Sequence, residues 1–204
     1  MAHFENSAIL AITGASGVQY GLSLLKALTK ANFLIYLLIS DAAKEVIKVE
    51  TKLKLPSKNN EMQQFFTQFC SAQNEQIQFC SQYDWLTAPA SGSSRIEQMI
   101  IAPCSMGALS AIANGLSNNL IERAADVILK EKRKLIIMPR ETPLSSIHLG
   151  NMLKLSDLGA IIAPACPGFY QSAQNVEDLI EFMTAKILNL LDINQSILPA
   201  WGKT

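Results

Sequence analysis

The sequence predicts an α/β protein built on a doubly wound parallel sheet, in a single domain spanning residues 1–204. Three observations point there. Short runs rich in β-branched and apolar residues recur along the chain, and longer segments with helical apolar spacing separate them. Strands that alternate with helices are joined by right-handed crossovers, which makes neighbouring strands parallel. The segments after the strand runs are small and polar, as ligand loops at the carboxyl ends of such sheets are.

The first strand run, residues 9–12, gives way to GASG, residues 14–17. Val18, Tyr20, Leu22, Leu24, Leu25 and Leu28 then follow in a broad apolar pattern suited to a packed helix over about 17–30. A strand, a small-residue turn and a helix aim free backbone N–H groups and a helix N-terminus into the loop. Such a site favours an anion, most often a phosphate. Glycine allows close backbone approach, and Ser16 adds a hydroxyl donor. With two glycines and no Gly-Lys-Ser/Thr ending, the loop is neither a dinucleotide fingerprint nor a P-loop. It also reads as a tight turn without a ligand.

The second strand, 33–39, ends at Ser40 and Asp41, with Ser40 placed as the N-cap of a helix over 41–51. Residues 53–60 read as a polar loop, 61–72 as a peripheral helix, and 85–94 (WLTAPASGSS) as a flexible loop or an oligomer contact. The third strand, 99–102, runs into PCSMG, which opens a helical stretch over 105–130. The fourth, 135–138, ends in PRETP ahead of a helix over 145–157. The fifth, 160–163, ends in PACPGFY. A last helix over 175–191 carries an apolar stripe at Val176, Leu179, Ile180, Met183, Ile187 and Leu190, and residues 194–204 form a tail. No internal repeat or linker marks a second domain.

Composition narrows the function classes. A formal net charge of zero, with pI near 6.7, offers no long-range field for nucleic acid or an anionic membrane. Charged residues make up 17% of the chain and apolar ones 49%, against about 25% charge in ordinary soluble domains. The missing charge implies a surface covered by other subunits, hence an obligate homo-oligomer; a monomer with an unusually large core is the alternative. No apolar run reaches the roughly 18 residues of a membrane span, and the N-terminus lacks a secretory pattern. Four cysteines form no CxxC pair and only two histidines, His3 and His148, are present, so no zinc or iron–sulfur site is expected. Scattered cysteines suit a reducing, cytoplasmic location.

GASG, the Ser40 turn, PCSMG, LIERAADVILKE, PRETP and PGFY, taken together and in this order, resemble the flavin prenyltransferase family of the UbiX type, over nearly the whole chain. The resemblance implies a Rossmann-like, flavodoxin-type fold, typically assembled as a dodecamer. It implies transfer of a dimethylallyl group from dimethylallyl phosphate to N5 and C6 of reduced FMN, without a metal. The prenylated FMN then serves a UbiD-type decarboxylase, often in ubiquinone biosynthesis.

Residue by residue, the resemblance places Gly14, Ala15 and Ser16 in the flavin-phosphate loop and Ser40 as a further flavin contact. Ser105, Met106, Gly107 and Ala108 match helix-start contacts to the flavin. Arg140 matches a residue touching both flavin and prenyl phosphate. Lys130, Tyr170 and Lys186 match a prenyl-phosphate clamp, and Glu141 the residue credited with proton handling. Glu50, Arg123, Trp85 and Trp201 match supporting positions. Many members carry arginine where this chain has Lys186, which keeps the charge and loses the planar fork.

The same residues have plainer readings. Lys130 suits a surface ion pair with Asp126, four residues earlier. Arg123 and Lys130 are seven apart, close to one helical face, so both could point to one site. Arg140 follows a strand run directly, at the edge where ligands gather, yet an ion pair with Glu141 would also suit it. Glu141 could take the proton C6 must lose, or simply stabilise a helix start. The tryptophans offer π faces to a passing cation, or anchor packing. Cys104 reads as a small apolar thiol, and His148 as a structural helix residue. Two other functions remain open: a flavin-dependent cysteine decarboxylase, which needs a catalytic histidine, and a non-enzymatic flavin-binding regulator.

Overall fold

The computed structural model describes residues 4–170 and 172–198. Six parallel strands form one sheet: β1 (Ser7–Ile12), β2 (Leu34–Ile39), β3 (Ile77–Cys80), β4 (Gln98–Cys104), β5 (Lys134–Pro139) and β6 (Ile161–Ile162). Their spatial order is β3-β2-β1-β4-β5-β6, with the reversal between β1 and β4. The helices are α1 (Val18–Lys30), α2 (Asp41–Glu50), α3 (Asn59–Phe69), α4 (Met106–Ala113), α5 (Leu120–Lys130), α6 (Ser146–Asp157) and α7 (Val176–Leu190).

Central strands are apolar on both faces because helices cover both. Leu10 and Ile12 of β1 join Leu24 and Leu25 of α1, Ile187 of α7, Ile47 of α2 and Phe66 of α3 on one side. Ile9 and Ala11 join Leu109 of α4, Ala124 and Ile128 of α5, and Leu155 of α6 on the other. This is the doubly wound arrangement the alternation implied.

Three details differ from the expectation. A sixth strand, β3, pairs with β2 at the sheet edge; its four residues IQFC are too short and too mixed to stand out as a run. The helical stretch over 105–130 is two helices. Gly115, at φ 68°, follows α4, and Asn119 caps α5 by accepting from the Ile121 and Glu122 N–H groups. On α7 the buried face is Phe182, Met183, Thr184, Ala185, Ile187 and Leu188, while Val176 is exposed, because packing on α1 begins only after the first two turns.

The unpaired apolar surface collects on α6. Only Met152 and Leu155 of that helix are buried, whereas Ile147, Leu149 and Leu153 are exposed, flanked by exposed Leu144 and Leu158. Exposed apolar side chains gathered on one helix are what a protein–protein contact would cover, in keeping with the low charge of the chain. Among the described residues no helix is long and apolar enough to cross a membrane.

Candidate active site

The loops that follow β1, β2, β4 and β5 meet at the carboxyl edge of the sheet, on either side of the strand-order reversal. Thr13, 2% exposed at the end of β1, ties two of them together. Its hydroxyl donates to the Pro103 carbonyl at 2.9 Å and accepts the Ser105 N–H at 2.7 Å. Ser105 in turn caps α4, its Oγ accepting from the Ala108 N–H at 3.3 Å. Ser40 caps α2 in the same way, accepting from Ala43 at 3.1 Å. The Ser40 cap stands where the sequence places it, whereas Ser105 caps the helix it was expected to open from within. The starts of α1, α2 and α4 therefore share one edge, with their positive dipole ends turned to it.

α2 lies across the loop of residues 14–17 and touches it at both ends. At its start, a Cβ on Gly14 would lie 2.5 Å from the Ala42 Cβ, so only glycine fits there. At its end, Glu50 Oε2 accepts from the Gly17 N–H at 2.9 Å and the Val18 N–H at 3.4 Å. The α1 terminus is thus not wholly free, as the sequence suggested, but already holds a carboxylate. Ala15 is buried, whereas Ser16 is exposed at the loop tip.

From the far side of the reversal Arg140 reaches across, its Nε donating to the Ser16 carbonyl at 3.0 Å. Arg140 and Glu141 line an open groove of about 400 Å³ together with Leu144, Met152, Pro164 and Cys166. Glu141 is exposed, and its Oε1 accepts only the adjacent Thr142 N–H, at 3.0 Å, so Arg140 is bound to the loop and not to Glu141. Tyr20, on the first turn of α1, borders this place beside Cys166 and Arg140, although its spacing in the sequence reads as part of the packed apolar face. Its phenol is held above the ordinary value of 10.0 by burial and by neighbouring Cys166, with Arg140 opposing. The space fits a flavin phosphate and ring system: Ser16 is exposed, nothing lies within 4 Å of a Cβ built on Gly107, and Arg140 supplies the cation. Met106 offers only its backbone, since its side chain is buried among α4, α5 and α6.

The other residues expected in a phosphate clamp lie elsewhere in the chain. Tyr170 and Lys186 come together on the Phe182 ring, Tyr170 edge-on at 5.4 Å and Lys186 Nζ 5.4 Å from its centroid. Lys130 ends α5 and pairs with Glu131, not with Asp126. Asp126 is taken by Arg123 at 3.0 Å, and Arg123 Nε donates to the Ala90 carbonyl at 3.1 Å. Arg123 and Lys130 are therefore committed to different partners. Lys130 precedes β5 and Arg140 follows it, so a strand of six residues, about 20 Å, separates them. Lys134, which opens β5, donates to the Leu190 carbonyl at 2.8 Å and Asp192 at 2.7 Å, which puts the end of α7 by the amino edge too. Trp85 is 44% exposed beyond β3, and Trp201 lies outside the described residues.

Cys104 is fully buried, its thiol pushed up to about 12 by loss of solvent, which suits a packing residue and not a nucleophile. His148 sits in a capping box, its Nδ1 accepting the Ser145 N–H at 3.2 Å.

Comparison with known proteins bears on this edge directly. A family described as Flavoprotein matches residues 4–188. Flavin prenyltransferase UbiX of Pseudomonas aeruginosa is 57% identical over 194 residues, covering 95% of this chain and 93% of that protein. The chain belongs to the UbiX-type flavin prenyltransferase family. Within that family, the crystal structure of AnUbiX in complex with FMN and dimethylallyl pyrophosphate superposes with a TM-score of 0.86 at 37% identity, covering 98% of each chain. A dodecameric FMN-dependent UbiX-like decarboxylase from Escherichia coli O157:H7 superposes with a TM-score of 0.84 at 35% identity, covering 97% of this chain and all of that one. The six-stranded parallel sheet is the flavodoxin-like fold of these relatives.

Proposed function

We propose that this chain transfers a dimethylallyl group from dimethylallyl phosphate to N5 and C6 of reduced FMN, as a homo-oligomer, and that the prenylated FMN serves a UbiD-type decarboxylase. The observation that carries the reading is the meeting of three helix N-termini with Arg140 at the carboxyl edge, in a chain of this family. Reduced FMN supplies the nucleophilic nitrogen and the ring carbon at which the new bonds form.

The protein's part is to bind, orient and move a proton. Ser16, Gly14, Ala15, Ser40 and the 105–108 turn hold the flavin phosphate and ring edge through backbone N–H and hydroxyl groups. Arg140 spans flavin and prenyl phosphate, where positive charge favours departure of the phosphate as its C–O bond breaks. Glu141, exposed beside Arg140, accepts the proton that C6 loses. Tyr170 and Lys186, set on one ring, and Lys130 complete the phosphate clamp. Lys130 sits a strand's length from Arg140 within one chain, so a neighbouring copy contributes it. The apolar face of α6 is one surface through which copies join, and a dodecamer is the assembly we expect.

The cysteine-decarboxylase alternative needs a catalytic histidine. His148 is engaged in the α6 cap and His3 lies outside the described residues. Anaerobic incubation with reduced FMN and dimethylallyl phosphate, without added magnesium, tests the proposal. Mass spectrometry should show flavin gaining one five-carbon unit. Unmodified flavin, with oxidative decarboxylation of a cysteine-terminal peptide, would replace it with the alternative.

A further inference from the structure

Phe182 has no polar side-chain atom, yet two residues of the proposed phosphate clamp rest on it. It is 5% exposed near the middle of α7, so the fold holds its ring in place. Lys186 stands four residues later on the same helix, and long helical side chains lean back over the preceding turn. Its ammonium accordingly lies over the Phe182 ring, 5.4 Å from the centroid. The Lys186 side chain is exposed and has no ion-pair partner among the described residues.

Tyr170 arrives from a different element. The loop after β6 begins at the site, where Pro164, Ala165 and Cys166 line the groove with Arg140. It then passes Gly168 and sets the Tyr170 ring against Phe182, with centroids 5.4 Å apart and planes at 78°. Gly168 is what allows the rings to meet. A Cβ there would lie 2.7 Å from Tyr170 Cε1 and 2.9 Å from Phe182 Cζ. A cavity of about 180 Å³ opens beside them, lined in part by Gly168, Phe182, Ile197 and Leu198. With open space on that side, the place of Tyr170 rests on its contact with the ring and on the close passage of Gly168. The face of a ring attracts a cation, and the T-shaped pair is a favoured ring geometry, so one phenyl group gathers both clamp residues.

We propose that Phe182 and Gly168 are positioning residues for prenyl-phosphate binding. The Phe182 ring holds the Lys186 ammonium and the Tyr170 phenol together before the phosphate arrives, and Gly168 keeps the space in which they meet. Two groups ordered in advance lose less freedom on binding, so affinity is gained with no further contact to the ligand. The inference rests on the reading of Tyr170 and Lys186 as part of the clamp.

The test titrates dimethylallyl phosphate calorimetrically into assembled protein loaded with oxidised FMN, where the reduced acceptor is lacking and no transfer follows. Phe182→Leu keeps an apolar side chain and removes the ring; Kd should rise about tenfold, with FMN affinity unchanged. In turnover the loss should fall on KM and not on kcat. In a Lys186→Met background the same change should cost only about threefold, because Tyr170 alone is left to position. A residue that merely stabilised α7 would cost as much in both backgrounds. Gly168→Ala should also raise Kd about tenfold by driving the two rings apart. Should Phe182→Leu fail to assemble by light scattering, Gly168→Ala decides alone. An unchanged Kd in either assembled variant, an undiminished loss in the Lys186→Met background, or an equal loss of FMN affinity overturns the proposal. Failure of the FMN-loaded parent protein to bind dimethylallyl phosphate would instead overturn the proposed function, and this inference with it.

Discussion

The Thr13 hydroxyl accepts the Ser105 N–H at 2.7 Å, joining the ends of β1 and β4 across 92 residues of sequence. Thr13→Val is nearly isosteric and removes both bonds, leaving the Ser105 N–H without its partner, while the Pro103 carbonyl keeps the backbone N–H of residue 13 at 3.2 Å. We expect a loss of about 1–3 kcal/mol, read as a lower urea midpoint, together with weaker FMN binding as the Ser105 turn loosens. Thr13→Ser should restore both.

Gly14 and Ala42 form a second coupled pair. Gly14→Ala should lower FMN affinity severalfold or more, because its Cβ would sit 2.5 Å from that of Ala42 and push α2 off the loop. Gly14→Val should abolish flavin retention while the protein still assembles. Adding Ala42→Gly to Gly14→Ala opens the space and should recover affinity, at a helix cost of about 1 kcal/mol. Flavin titration and thermal unfolding separate the two effects.

The exposed face of α6 makes assembly testable. Light scattering should report a particle many times 22.3 kDa. Ile147→Glu/Leu153→Glu puts charge on that face and should give smaller particles with unchanged far-ultraviolet circular dichroism.

Lys186 stands where the resemblance to the family leads to an expectation of arginine. Its ammonium stands over the Phe182 ring beside Tyr170, and in the proposed clamp it would grip a phosphate as a point charge. Lys186→Met should raise KM for the prenyl phosphate about ten- to a hundredfold, the scale of one charge-assisted contact, and leave kcat and FMN affinity nearly alone. Lys186→Arg should be tolerated or bind more tightly. Steady-state kinetics with a flavin titration decides it.

Burial holds the Cys104 thiol near 12, against an ordinary 9.0. The unfolded chain releases this proton from about pH 9 while the native chain keeps it. The contribution is complete below pH 9 and is lost as pH rises toward 12, by about 1.4 kcal/mol per pH unit. Cys104→Ala should flatten the alkaline fall of the urea midpoint between pH 9 and 10.5.

What the sequence made legible were features whose signal is local. Buried parallel strands read as continuous apolar runs, and Ser40 read as a cap from its place after a strand. β3 escaped because an edge strand of four residues, two of them half-exposed, has no run to offer. The split between α4 and α5 escaped because apolar spacing resumes after Gly115. The Thr13–Ser105 link and the crossing of α2 over Gly14 depend on which loops the sheet brings together, and no linear pattern carries that. Lys130 and Arg140 show the reverse case: ten residues apart in the chain, they stand a strand's length apart in the fold.

That last separation has a hereditary side. When one pocket draws on the far ends of different copies, a defect in one gene product spoils pockets belonging to sound ones, so a damaged allele can act dominantly. Two alleles damaged at opposite ends, one at Lys130 and one at Arg140, would nevertheless rebuild some intact pockets in a mixed particle, though neither makes one alone. Selection then acts on the population of copies in a particle, and not on each chain separately.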